Sequence, residues 1–305
     1  MKYSVKLVTQ ILITMETNFV TIPSLRWSFN LDDWKPKQDE WVLAFSCLQP
    51  EERLRIDRFV FARDAKASLV GRLMIRKVLS ETFSIPYKEL TISRTEKGKP
   101  TFQNVLETDF DFNISHNGSY CVLAAEPACK VGIDVMRIKY SGGKPVPDFL
   151  KLMRRQFALS EFNYIVSPGL EKDQLKRFYR LWCLKESYVK AEGIGIGYNL
   201  QRLCFDCSKT PYNEVGKLIS DTTLARDDKV LPGWIFEETL LDDDHIVTVA
   251  LERQNDKVHF TSRESTSSFF ERLTFQKLIE NAQPLSLLDL NSWRIFSEKP
   301  EKPGC

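Results

Sequence analysis

The chain has 305 residues, 43% of them hydrophobic and 28% charged, with a formal net charge of +2; that is enough for a buried core without disulfides, and it excludes a stapled mini-protein, a disordered chain and a fibre. No basic stripe stands out from so neutral a composition, so a bulk nucleic-acid binder is excluded and any anion site is local. Seven scattered cysteines, an odd number, fit a reducing intracellular setting, and no apolar run approaches the roughly 18 residues of a membrane span.

Residues 1–15 carry two lysines, hydroxyl residues and an apolar stretch but no acid and no arginine. They read as a dispensable N-terminal extension or a first strand rather than a targeting peptide. Pro50, Glu51 and Glu52 open a short helix at 49–57, because proline and acids suit a first helical turn. A longer helix is predicted over 63–83, with Ala65, Leu69, Leu73 and Val78 at helical spacing and Pro86 beyond its end. The period then drops to two at Leu90 and Ile92 and again at Phe110, Phe112 and Ile114, as in half-buried strands, with Lys97-Gly98-Lys99-Pro100 as the turn between. Strands at 120–125 and 131–135 are joined by a short connection that suits a hairpin. A Gly/Pro-rich loop at 141–147 precedes helices at 149–156, 160–166 and 172–192, the last stopped by Gly193. Strands return at 203–205, 234–238 and 245–251. Cys204 and Cys207 have a C-x-x-C spacing without a second pair, and read as strand residues rather than a zinc site. The order of elements gives α+β architecture in two lobes: an N-terminal lobe over 16–117 and a C-terminal lobe over 118–254. Residues 255–305 form a polar, partly ordered tail whose aromatics, Phe269, Phe270, Phe275, Trp293 and Phe296, are available to pack back on the body.

Three clusters carry chemistry. Asp134 ends the apolar run Val131-Gly132-Ile133-Asp134, where a carboxylate is either a turn former or an oxygen ligand for Mg²⁺. Glu186 and Lys190 lie four apart in Trp182-Cys183-Leu184-Lys185-Glu186-Ser187-Tyr188-Val189-Lys190, so they share a helix face; they are either an exposed ion pair worth about 0.3–0.5 kcal/mol or a metal-binding, proton-accepting carboxylate beside a cation. Arg94, Lys97 and Lys99 surround Gly98, and Ser115 and His116 end a strand; both segments are either solvated turns or donors to an anion. No Walker loop or dinucleotide fingerprint is present.

In this order the segments resemble the 4′-phosphopantetheinyl transferase superfamily, in its large two-lobed form. The hallmark is a (V/I)-G-(I/V)-D strand followed by a (F/W)-x-x-K-E-(S/A)-x-x-K-A helix; here these are Val131–Asp134 and Trp182–Ala191, with 52 residues from Asp134 to Glu186. Further matches include Phe59–Ala67, Gly71–Lys77, Lys97–Pro100, Phe112–His116 and Leu200–Leu203. The resemblance implies two pseudo-twofold lobes, each a small antiparallel sheet packed on helices, with coenzyme A in the cleft between them. It implies transfer of 4′-phosphopantetheine to a serine of an apo acyl or peptidyl carrier protein, with release of adenosine 3′,5′-bisphosphate. Asp134 and Glu186 would hold Mg²⁺ with the diphosphate oxygens, Glu186 would take the serine proton, and Lys190 and His116 would complete the catalytic set. Coenzyme A would be met by Arg55, by Arg94, Thr95, Glu96, Lys97, Gly98 and Lys99, by Asn113, Ile114, Ser115 and His116, and by Glu186, Ser187 and Lys190.

Two positions depart from the pattern. Met136 stands where many members carry a third carboxylate, so water is expected to complete the metal shell. Asn117 stands where animal members are expected to have Gln, and the shorter amide reaches a metal only through water. These departures leave an alternative from another class, an inactive coenzyme A or carrier-protein binding module. The expected carriers are acyl carrier domains of the fatty acid synthase, aminoadipate and mitochondrial types, which links the chain to fatty acid synthesis and lysine metabolism. Their acidic helix would meet Lys151, Arg154 and Arg155, or Lys172, Lys176 and Arg177. The expected protein is a cytosolic monomer that binds neither nucleic acid nor membrane.

Overall fold

A computed structural model describes residues 24–102, 110–139, 142–195, 197–253 and 269–301; the expected extension at 1–15, His259 and most of the polar linker after Gln254 lie outside them. The N-terminal lobe comprises β1 (Leu25–Asn30), α1 (Gln38–Ser46), α2 (Pro50–Asp57), α3 (Ala62–Phe83), the small hairpin β2 (Ile92–Arg94) and β3 (Pro100–Phe102), then β4 (Phe110–Asn117) and β5 (Tyr120–Pro127). The C-terminal lobe follows with β6 (Cys129–Arg137), α4 (Val146–Met153), α5 (Leu159–Ile165), α6 (Glu171–Glu192), β7 (Leu203–Asp206), β8 (Thr223–Arg226), β9 (Lys229–Val230), β10 (Trp234–Asp242) and β11 (His245–Arg253). The chain closes with β12 (Glu271–Arg272), α7 (Phe275–Ile279) and α8 (Leu290–Ser297).

Each lobe repeats one plan. A strand, a 22-residue helix and two further strands give the sheets β12-β1-β5-β4 and β10-β11-β6, with β1 and β6, α3 and α6, and the β4–β5 and β10–β11 pairs in matching places. α3 is long because its apolar positions recur at helical spacing, and it ends at Ser84 in the left-handed conformation (φ 51°) ahead of Pro86. α6 ends at Gly193 (φ 65°), a conformation that costs glycine nothing.

One expectation is corrected. The strands around 120–125 and 131–135 do not form a hairpin, because β5 pairs with β1 and β4 while β6 pairs with β11. A cut between 117 and 118 would divide the β4–β5 hairpin, whose strands pair from Phe110↔Pro127 to Asn117↔Tyr120. The physical reason is burial on both faces. Cys121, Leu123 and Ala125 join the α3 core. Tyr120, Val122 and Ala124 instead meet Val131, Ile133, Val135, Val247, Val249 and Leu251 in a core between the two sheets. Strands so enclosed read as continuous apolar runs, and apolar runs do not name their pairing partners.

Residues 269–301 return to the N-terminal lobe. β12 lies parallel to β1, and Phe270, Leu273, Phe275, Leu278 and Phe296 are buried. Among the described residues no helix is long and apolar enough to cross a membrane.

Candidate active site

Gly132 fixes the relation between β6 and α6. A Cβ there would lie 2.0 Å from the carbonyl oxygen of Ser187 and 2.4 Å from the backbone nitrogen of Ala191, so the helix lies against bare strand backbone. Two residues along, Asp134 points its buried side chain to the same face as Gly132. It meets the last turns of α6, where Lys190 follows Glu186 by one helical turn.

The contacts there are ordered. Lys190 Nζ donates to Asp134 Oδ1 (2.6 Å), Ser115 Oγ (2.8 Å) and the Ile133 carbonyl (3.1 Å), which uses all the protons an ammonium has. Ser115 Oγ in turn donates to Asp134 Oδ1 (2.9 Å). Asp134 Oδ2 is buried without a hydrogen-bond partner among the described residues. Glu186, half-buried beside it, has its carboxyl raised above the ordinary 4.5 by burial and by the Asp134 carboxylate, with Lys190 pulling the other way. An unpartnered buried carboxylate oxygen next to a second, like-charged carboxylate is a donor set that suits a hard divalent cation. Among the described residues no group of three or more His, Cys, Asp or Glu gathers for a metal.

Of these groups, Glu186 and Lys190 stand on one wall of a cavity of about 1070 Å³ between the lobes. Of the expected site residues, Glu186 and Lys190 line it from the C-terminal lobe, and Arg94 through Lys99, Asn113, Ile114 and His116 line it from the N-terminal lobe. The Arg94–Lys99 turn is closed by Thr95 N to Lys99 O (2.9 Å) and Gly98 N to Thr95 O (2.8 Å), with Gly98 at φ +85° in open space. Four expected residues do not form the wall, Asp134 among them, its buried side chain being held by Lys190 and Ser115. Arg55 is exposed on α2. Ser115 is spent on Asp134 and Lys190, and Ser187, fully buried, donates to the Leu184 carbonyl (2.8 Å).

Sequence reasoning missed Arg72 and Lys185. Arg72 lines the cavity from α3 and shares the carboxylate of Glu52 with Arg94; only its place in the matched Gly71–Lys77 segment marked it. Lys185, with no exposure, pairs with the equally buried Glu161 (2.8 Å) and donates to the Leu200 (2.9 Å) and Leu203 (2.7 Å) carbonyls. It ties down the glycine-rich segment after α6, where Gly193, Gly195, Gly197, Tyr198 and Leu200 line the cavity. A lysine on the apolar side of a helix was the available signal, since burial of such a charge requires a partner.

Residues 32–128 match the family described as 4′-phosphopantetheinyl transferase, N-terminal, and residues 130–250 match the 4′-phosphopantetheinyl transferase superfamily. The chain is 41% identical to the L-aminoadipate-semialdehyde dehydrogenase-phosphopantetheinyl transferase of Xenopus laevis, over 92% of this chain and 94% of that protein. It is 41% identical to the protein of the same name from Homo sapiens, over 93% and 96%. With the 4′-phosphopantetheinyl transferase Sfp of Bacillus subtilis it shares 31% identity, over 53% of this chain and 68% of the other.

Proposed function

The chain belongs to the 4′-phosphopantetheinyl transferase superfamily and transfers 4′-phosphopantetheine from coenzyme A to a carrier-protein serine; from that premise we propose that Asp134, Glu186 and Lys190 carry the chemistry. The observation that supports this most is the buried, unpartnered Asp134 Oδ2 beside Glu186. These two carboxylates would hold Mg²⁺, with water and diphosphate oxygens in the remaining positions, since Met136 offers no carboxylate. A metal there supplies charge neutralisation to the diphosphate.

The chain's own groups do the rest. The serine hydroxyl attacks the phosphorus that bears the pantetheine arm, its proton passes to Glu186, and the bond to the bridging oxygen breaks to release adenosine 3′,5′-bisphosphate. A raised Glu186 carboxyl is the better proton acceptor for this step. Lys190 neutralises Asp134 and fixes its orientation. His116 and Ser115 are the expected phosphate donors, but only His116 reaches the cavity, so the phosphate contact falls to it. Arg94, Lys97, Lys99 and the unforeseen Arg72 face the nucleotide end and its 3′-phosphate. Thr95, Glu96 and Gly98 shape that turn, while Asn113 and Ile114 form the floor.

The carrier docks on the exposed Lys151, Arg154 and Arg155, because that segment runs into Gln156 at the cavity wall. Of the rival set, Arg177 is already engaged, donating to the Ile165 carbonyl (3.2 Å) and to Ser167. Carriers of the fatty acid synthase, aminoadipate and mitochondrial types, a monomer with both cavity walls on one chain, and a cytosolic setting suited to its free cysteines complete the reading.

The test is release of adenosine 3′,5′-bisphosphate with a panel of apo carriers. Asp134→Ala and Glu186→Gln should keep their folded circular dichroism and lose at least about 100-fold in turnover. Near wild-type turnover by Glu186→Gln would remove the base assignment. No product from the wild-type chain with any carrier would favour a binding module that has lost transfer.

A further inference from the structure

β4 alternates, and its second face is not a solvent face. Phe110, Phe112 and Ile114 pack toward α3, which leaves Asp111, Asn113, Ser115 and Asn117 on the other side, with Ser119 following in the hairpin turn. All five are short and polar, and each meets the C-terminal lobe. Asp111 Oδ2 accepts from Val131 N (2.9 Å), Asn113 Oδ1 from Ile133 N (3.2 Å) and Asn117 Oδ1 from Arg137 N (2.9 Å), each across an offset of 20 residues. Ser115 Oγ donates to Asp134 Oδ1 (2.9 Å), and Ser119 N donates to His245 Nε2 (3.0 Å).

The constant offset means that β4 and β6 run parallel and in register, yet they belong to separate sheets. A backbone ladder would bring them to about 4.8 Å. Here a side chain stands in each gap, so the strands are held one side chain further apart. β6 uses its other edge for β11, so without these oxygens its outward amides would be buried and unpaired, which is costly.

We propose that this polar strip is a spacer that sets the width of the cleft, with Asn117 and Asp111 as positioning residues. The inference rests on the reading of that cleft as the coenzyme A site. The nucleotide-binding turn belongs to the N-terminal lobe, while Glu186 and Lys190 belong to the other. Asp111 also takes Lys99 Nζ (2.8 Å), so one carboxylate joins the spacer to that turn. Asn117 acts here through a backbone amide and not in a metal shell. Loosening the strip should leave the nucleotide end bound and misplace the reacting end.

The experiment compares Asn117→Ala and Asn117→Asp in the full chain, with three readouts: hydrogen exchange of the Arg137 amide, steady-state kinetics, and the Mg²⁺ concentration for half-maximal rate. In Asn117→Ala, exchange at Arg137 should accelerate at least about tenfold, and kcat should fall about 10- to 100-fold. KM for coenzyme A and the Mg²⁺ midpoint should each stay within about twofold. Asn117→Asp keeps the acceptor and should recover both the protection and kcat to within about threefold. A purely structural residue would lower Tm without changing kcat well below it, and that result overturns the proposal. So does a shifted Mg²⁺ midpoint, which would place Asn117 at the metal, or an Arg137 amide that is unprotected in the wild type or unchanged in Asn117→Ala. Should Asn117→Ala not fold, the wild-type and Asn117→Asp amides still decide. If the wild type proved inactive, the cleft reading would fall while amide exchange judged the strip separately.

Discussion

Glu52 sits between two guanidiniums that both line the cleft, Arg72 and Arg94. Arg94 contacts it through Nε and NH2, and its NH1 reaches the Gly98 carbonyl (2.9 Å). One buried acid therefore orders two cations that would otherwise repel each other and lose rotamer freedom. Burial by itself would raise the Glu52 carboxyl, but the Arg72 and Arg94 charges outweigh it and hold it below the ordinary 4.5. A carboxyl lowered in the folded state adds stability above its unfolded value and loses it as pH falls through the folded one. Glu52→Gln should consequently be less stable than the wild type by about 1–2 kcal/mol at pH 7. The gap should shrink steadily below pH 4.5 as the wild-type carboxyl protonates. Urea denaturation across that range measures it, and a gap that persisted unchanged at pH 3 would show that Glu52 acts by shape rather than charge.

Among the elements, the pairing of β6 with α6 governs the site. Gly132→Ala would drive a Cβ into the Ser187 carbonyl and the Ala191 nitrogen, and both are backbone atoms, so the helix itself must move. Overpacking of this kind costs about 1–3 kcal/mol or more. The displacement carries Glu186 and Lys190 away from Asp134, so turnover should fall by at least about tenfold even where the variant is fully folded. Full turnover in a folded Gly132→Ala would separate the helix position from the chemistry. These same elements were the most legible in the sequence. α3 and α6 begin and end within a residue or so of the predicted spans, because a long apolar period with a proline or glycine stop leaves little freedom. The family resemblance carried by the V-G-I-D strand and the K-E-S helix pointed to Asp134, Glu186 and Lys190, and the fold places the three side by side. What stayed hidden was non-local. An apolar run does not say whether β5 pairs with β6, and the alternating polar residues of β4 look the same whether they face water or a second lobe. Arg72 shows no local sign that Glu52 and Arg94 will reach it.

At the scale of the whole molecule, the returning segment 269–301 joins what the two-lobed plan leaves open. β12 lies along the free edge of β1, an edge that would otherwise offer unpaired backbone groups. Phe275 stacks on Trp34 with centroids 4.4 Å apart, and Phe296 stacks on Trp41 at 3.6 Å. The Pro300 carbonyl accepts from Ala62 N (3.0 Å) and so satisfies a donor in the first turn of α3. Phe270 goes further and enters the core between the two sheets. A segment bound to one lobe and to the core shared with the other should make their unfolding cooperative. Phe296→Ala deletes a buried ring worth about 3–5 kcal/mol, all of it in the N-terminal lobe. Because the shared core and the β4–β6 strip couple the lobes, scanning calorimetry should show one transition moved to lower temperature. Two separated transitions, with only the lower one displaced, would mean that the lobes unfold independently and that the returning segment serves the first alone.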